Sequence, residues 1–205
     1  MGRRNILTAP SICEDIFAES GLSPVAGIDE AGRGPLAGPV VACALVLPDG
    51  LIIEGVNDSK KISAARREAL SKKIKEAALG YAYGIIDADT IDRINILQAT
   101  LRAMSEAVSA LSVTPKVALV DGNTPPRCHM PVVCIVRGDS KSHVIAAAGI
   151  LAKVKRDEIM TEMHEKYPEY GFNAHKGYGT AAHKNALDLF GLCPEHRKSF
   201  CREKS

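Results

Sequence analysis

Four carboxylates in this 205-residue chain share one kind of placement. Asp29 and Glu30 follow the short apolar run Val25 to Ile28, Asp121 follows Val117 to Val120, and Asp139 comes shortly after Val132 to Val136. In α/β sheets, ligand-binding groups gather at strand ends, so three such ends side by side would bring the acids together. Crowded carboxylates repel and raise one another's pKa. A divalent cation removes that cost. Mg²⁺ and Mn²⁺ prefer oxygen ligands and keep places for water and phosphate oxygens. Two such ions about 4 Å apart suit phosphodiester hydrolysis, activating a water and stabilising the leaving oxygen. The acids also fit plainer duties: Asp121-Gly122 is a common turn pair, and Asp139 precedes a predicted helix whose dipole it would complement. Asp157 stands apart. It lies 18 residues after Asp139, about 27 Å along an unbroken helix, and its expected role is surface pairing.

After the acidic pair runs Ala31-Gly32-Arg33-Gly34-Pro35-Leu36-Ala37-Gly38-Pro39. Glycines let a backbone approach a ligand and present its N–H groups. Arg33, between Gly32 and Gly34, is placed to reach a phosphate; the alternative is a tight turn with a solvated arginine. GxxxxGK[ST] is absent, which excludes a P-loop. Lys60 and Lys61, after Asn57-Asp58-Ser59, are phosphate-binding candidates or a solvated approach to a helix. In the tail segment His175-Lys176-Gly177-Tyr178-Gly179-Thr180, Tyr178 is flanked by glycines. It is suited to stacking on a base or sugar, or to covering a core edge.

The elements that must position these groups read as alternating strands and helices, an α/β pattern. A short helix is expected over 11–20, then strands at Val25–Ile28 and Ala37–Leu47, the second closed by the turn Pro48-Asp49-Gly50. Ser63 is the expected cap of a helix reaching about Leu79. A strand follows over Tyr81–Ile86. Ile94, Leu97, Leu101, Met104 and Val108 recur at helical spacing and predict one long helix from Asp89 or Thr90 to about Leu111. Strands at Val117–Val120 and Val132–Val136 precede a helix from about Ser142 to His164. Its Ala146-Ala147-Ala148-Gly149 stretch permits close packing on a sheet. A last helix is expected over Ala181–Leu189. Hairpin-linked early strands make the sheet mixed.

Composition sets the outer bounds. Apolar residues make up 46% and charged residues 24%, as in ordinary globular proteins. No apolar run approaches the roughly 20 residues of a membrane span, and no sustained apolar stretch follows Arg3 and Arg4, so a cytoplasmic location without membrane association is expected. The six cysteines form no CxxC pair and read as free thiols. Cys193, His196 and Cys201 match no common zinc spacing and lack a fourth ligand. A net charge of +2 says little about partners, and a monomer is the default expectation.

Taken together, the segments resemble the ribonuclease HII family. The matching blocks are Gly27 to Val40, Asn57-Asp58-Ser59-Lys60-Lys61, Val120-Asp121-Gly122-Asn123, Arg137-Gly138-Asp139-Ser140-Lys141-Ser142, Ile145 to Val154 with Arg156-Asp157, His175 to Thr180, and His196-Arg197-Lys198-Ser199-Phe200. The resemblance implies a ribonuclease H-like α/β fold, with a mixed central sheet flanked by helices. It implies one such domain over 1–205, with a lead-in to about 24 and a C-terminal helical, substrate-binding extension over about 166–205. Some 24 residues precede the first motif, which favours this type over the related HIII type with its added N-terminal domain. Asp29, Glu30, Asp121 and Asp139 would be the catalytic carboxylates holding Mn²⁺ or Mg²⁺. Gly32, Arg33 and Gly34 would read the ribose 2′-OH, Lys60 would contact phosphate, and Tyr178 would stack on the deoxyribose after a ribonucleotide. The partner implied is an RNA–DNA hybrid, or duplex DNA carrying a single ribonucleotide, cut 5′ of the last ribonucleotide to leave 5′-phosphate and 3′-hydroxyl ends. One departure is visible: Gly149 stands where such sequences commonly have serine, a lost hydroxyl that would slightly weaken a substrate or capping contact. The residues alone leave two rivals, an endonuclease of the same fold reading a damaged base and a non-enzymatic nucleic-acid-binding module.

Overall fold

The structure is a computed structural model that describes residues 12–56 and 62–201. Asn57 to Lys61, including Lys60, lie outside the described residues. In chain order the elements are α1 (Ile12–Glu19), β1 (Val25–Ala31), β2 (Val40–Val46), α2 (Ala64–Ala77), β3 (Gly80–Ile86), α3 (Ala88–Ile94), α4 (Ile96–Ser109), β4 (Val117–Asp121), β5 (Val132–Ile135), α5 (His143–Lys166), α6 (Phe172–His175) and α7 (Ala181–Phe190). Short 3-10 turns at Gly138–Ser140 and Pro168–Tyr170 flank α5.

The sheet runs β3-β2-β1-β4-β5. β1 pairs antiparallel with β2 and parallel with β4, β2 pairs antiparallel with β3, and β4 pairs parallel with β5. The mixed α/β architecture expected from the sequence is therefore present. β2 is buried along its whole length, because both faces of the sheet are covered. On one face Ala26, Ile28, Ala42 and Val120 pack against Ala103, Met104 and Ala107 of α4. On the other, Cys43 and Leu45 meet Ile74 of α2 and Ala147, Ala148 and Leu151 of α5.

Both covering helices approach through glycine. A Cβ on Gly27 would stand 2.4 Å from the backbone carbon of Val144, and one on Gly84 would stand 1.9 Å from the carbonyl oxygen of Ala103. The small residues of α5 serve the same close contact, as their run in the sequence suggests.

Three expectations change in detail. The long helix predicted to Leu111 is two helices, because Asn95 takes φ +67° and caps the second with its side chain, accepting from Gln98 N–H at 3.1 Å. A non-glycine residue in that region interrupts the helical ladder. The strand predicted to stop at Ile28 continues through Asp29, Glu30 and Ala31, whose partners on β2 are Cys43, Ala42 and Val41. The strand predicted from Ala37 starts at Val40; Ala37 makes only an isolated bridge with His196. The cap expected at Ser63 is present, accepting from Arg66 N–H at 3.3 Å, and Ser142 caps α5, accepting from Ile145 N–H at 3.3 Å.

Candidate metal centre

Sheet register decides where the acids go. Ile28 of β1 is aligned with Val120 of β4, so Asp29 and Asp121 come next on neighbouring parallel strands. Asp121 is in turn aligned with Ile135, the last residue of β5. The chain leaving β5 bends into the turn that carries Asp139. That turn is fastened to the site, since Gly138 N–H donates to Asp121 Oδ1 at 2.6 Å. A cavity of about 350 Å³ opens beside these strand ends, lined by Asp29, Glu30, Gly32, Asp139, Lys153 and Tyr178 among others.

The charges record how close the acids are. Burial pushes the Asp29 carboxyl well above the ordinary aspartate range; Glu30, Asp121 and Asp139 each push it further, against one stabilising bond from Glu30 N–H at 2.7 Å. Glu30 is raised mainly by burial as well. Arg33, 3.4 Å from its Oε1, works against that, and Asp121 adds to it. Three acids thus act on a fourth that is partly desolvated, the situation a divalent cation relieves.

The donor set fits Mg²⁺ or Mn²⁺: the acids supply oxygen only, and soft ligands are absent from the cavity lining. Among the described residues no three acidic, histidine or cysteine side chains close into a ready-made ligand shell.

Most of the residues singled out from the sequence meet here. Asp29, Glu30, Asp139, Gly32 and Tyr178 line one cavity, Asp121 adjoins it, and a Cβ on Gly34 would lie 3.9 Å from the Tyr178 ring. Tyr178 is 46% exposed at the cavity. Arg33 is exposed but turned back onto Glu30. Asp157 makes ion pairs, as expected, with Lys153 and with Arg67 at 3.6 Å. Both partners line the acidic cavity, so Asp157 is nearer the site than distance along the helix suggests. Asp29 lies beside Gly149, in the second turn of α5, while Asp121 and Asp139 lie at the turn that precedes the helix.

Gly149 acts on the acids directly. A Cβ there would fall 2.2 Å from Asp29 Oδ2, so the missing side chain makes room for that carboxylate against α5. Its effect falls on the acidic centre, where the sequence suggested a lost capping or substrate contact. Lys153, Arg67 and the buried Arg156 and Arg197 were not singled out for the site. Lys153 stands one turn after Gly149, the signal that could have found it.

A stability prediction follows from Asp29. Its native pKa is raised above the unfolded value, so the native state binds more protons between the two and stability falls as pH rises through that window. Cation binding needs the ionised form and relieves the repulsion. Mn²⁺ at about a hundred times its Kd should stabilise the fold by about 2.7 kcal/mol, with a much smaller gain at pH 5 than at pH 8. Melting curves with and without Mn²⁺ at both pH values check this; equal gains would contradict it.

The comparisons with known proteins agree with this fold. The family model for Ribonuclease HII matches residues 26–203. Ribonuclease HII of Ruminiclostridium cellulolyticum is 57% identical over 182 residues, covering 89% of this chain and 71% of that one. That of Geobacter metallireducens is 50% identical over 200 residues, covering 98% and 92%. The crystal structure of the ribonuclease H2 from Pyrococcus horikoshii superposes with a TM-score of 0.72 at 27% identity, covering 85% of this chain and 92% of that one. No helix among the described residues is long and apolar enough to cross a membrane. With the acids at adjoining strand ends of a mixed sheet and the family match running almost end to end, this chain belongs to the ribonuclease HII family.

Proposed function

We propose that the chain cuts at RNA–DNA junctions, including a single ribonucleotide embedded in duplex DNA, with Asp29, Glu30, Asp121 and Asp139 holding Mn²⁺ or Mg²⁺ at the scissile phosphate. Its family hydrolyses the RNA of RNA–DNA hybrids, and the chain is an endoribonuclease of that class. The observation that carries the finer reading is the half-buried Asp29, repelled by three acids and set beside a glycine-rich loop and an exposed tyrosine.

Each residue then has a task. The four acids bind and orient the ions. Gly32, Arg33 and Gly34 bring backbone close to the ribose, whose 2′-OH is the group that separates RNA from DNA. Tyr178 offers its face to the next sugar across the cavity. Lys153 and Arg67, held by Asp157, are placed to meet phosphate oxygens. Lys60 belongs to the same set by its motif. The stretch from about residue 166 serves as the substrate-binding extension. When bound, divalent ions supply charge stabilisation and a more acidic water. Cleavage 5′ of the last ribonucleotide leaves 5′-phosphate and 3′-hydroxyl ends.

Tyr178→Ala tests the junction reading. Stacking on an aromatic face contributes about 1–3 kcal/mol, so kcat/KM on a single-ribonucleotide duplex should fall about tenfold or more, with Mn²⁺ dependence unchanged. The assay maps the product ends and includes a matched duplex carrying inosine in place of the ribonucleotide. Cleavage of the inosine duplex alone, or uncut ribonucleotide duplex with Mn²⁺ present, would overturn the proposal.

A further inference from the structure

Arg197 is wholly buried, and its guanidinium faces the backbone of the glycine-rich loop. Guanidinium has five N–H donors, and all five end on loop carbonyls. Nε donates to Gly38 at 2.9 Å, Nη1 to Arg33 at 3.0 Å and Pro35 at 2.9 Å, and Nη2 to Gly32 at 2.6 Å and Gly38 at 2.8 Å. Arg156, also buried, reaches the same loop from α5. It donates to Pro39 at 3.0 Å and Ala37 at 3.1 Å, and to Lys176 at 3.0 Å. Arg197 N–H takes the carbonyl of Leu36 at 2.8 Å. Each carbonyl from Gly32 to Pro39, Gly34 apart, is thus held from behind.

The planar peptide makes this consequential. A trans peptide sends its C=O and the next N–H in opposite directions. With the carbonyls of Gly32 and Arg33 drawn inward to Arg197, the N–H groups of Arg33 and Gly34 must face away from it. Among the described residues no hydrogen bond uses either group. Gly32 leaves space for Arg156: a Cβ there, φ +99°, would stand 2.1 Å from Arg156 Nε, whereas one on Gly38, φ +84°, would meet Met160 Sδ at 2.3 Å. The tail carrying Arg197 is itself anchored, because Asp92 of α3 accepts from Lys198 N–H at 2.7 Å and Ser199 N–H at 3.0 Å.

Charge points the same way. Among the described residues neither guanidinium has a carboxylate partner in an ion pair. Burial and the neighbouring Arg156 push Arg197 down to about 9. Asp92 acts on Arg197 and Asp157 on Arg156 only from beyond ion-pair distance, so the two buried cations carry a desolvation cost that an anion at the loop's outer face would offset further.

We propose that Arg197 and Arg156 are positioning residues for junction recognition: they hold the loop carbonyls inward, turn the Arg33 and Gly34 N–H groups toward the substrate's sugar-phosphate backbone, and place positive charge behind it. The inference rests on the reading of that loop given above. Neither arginine touches substrate.

Arg197→Lys keeps the charge but has three donors in place of a five-donor fork. Two measurements test it. Amide hydrogen exchange should quicken in the peptide spanning 32–39 while β1 and β4 stay protected. With Mn²⁺, KM for a single-ribonucleotide duplex should rise about tenfold, near 1.4 kcal/mol, with the Mn²⁺ midpoint unmoved. Unchanged loop exchange, or a mobile loop with wild-type KM, would overturn the proposal. Should Arg197→Lys lose protection throughout, Arg156→Lys is measured identically, and global loss in both assigns the pair to the core and overturns it too. Wild-type protein inert on that duplex would instead sink the proposed function, and the exchange pattern would still decide the clamp.

Discussion

Asp29→Asn is expected to lower cleavage of a single-ribonucleotide duplex by on the order of a thousandfold, and at the same time to raise the melting temperature of the metal-free protein at neutral pH. The two effects share a cause. Asp29 is half-buried, with desolvation and three further acids raising its pKa, so its charge is costly in the folded state until a cation offsets it. Asparagine keeps the shape and can still accept from Glu30 N–H, but it removes the charge on which cation binding depends. A residue kept only as a turn former would show neither change. Melting curves in EDTA and Mn²⁺-dependent cleavage measured on one preparation check both halves. Loss of activity together with lowered metal-free stability would mean that Asp29 acts as a structural group.

Gly27→Ala is expected to destabilise the fold by about 3 kcal/mol, the upper part of the overpacking range, and to lower the melting temperature by about 6–12 °C. The added methyl would meet the backbone of Val144 at 2.4 Å and of Ile145 at 2.7 Å. No rotamer change relieves a clash between two backbones. Either β1 or α5 must move, and both carry the site: Asp29 is two residues along β1, and Gly149 and Lys153 lie on α5. Activity at low temperature should therefore fall as well. Calorimetry of this variant decides the matter; a melting temperature within a degree of wild type would show that α5 does not rest on β1 as described.

The acids were legible in the sequence because their position is a local matter. A polar pair after an apolar run marks a strand's end, and three such ends in an α/β pattern have few places to go. What sequence spacing could not show was reach. Asp157 is far from Asp139 in sequence, yet it holds Lys153 and Arg67 at the cavity, because α5 passes Asp29 at Gly149 and lines the cavity as far as Lys153. Asn95 was hidden for another reason. Its neighbours Ile94 and Leu97 keep helical spacing on both sides, and only the backbone shows φ +67°. Arg156 and Arg197 are harder still. Arginine is normally exposed, and nothing in the order of residues says that a guanidinium will be spent on carbonyls from a loop some 160 positions earlier. Gly149 was noticed, but its meaning needed the contact with Asp29.

Anomalous diffraction from crystals soaked in Mn²⁺ tests the cation-holding role of the acids most directly. Density is expected within bonding distance of Asp29 and of at least one of Glu30, Asp121 and Asp139, and it should vanish in Asp29→Asn. Mn²⁺ bound elsewhere with these carboxylates bare, at a concentration that supports full cleavage, would contradict the assignment.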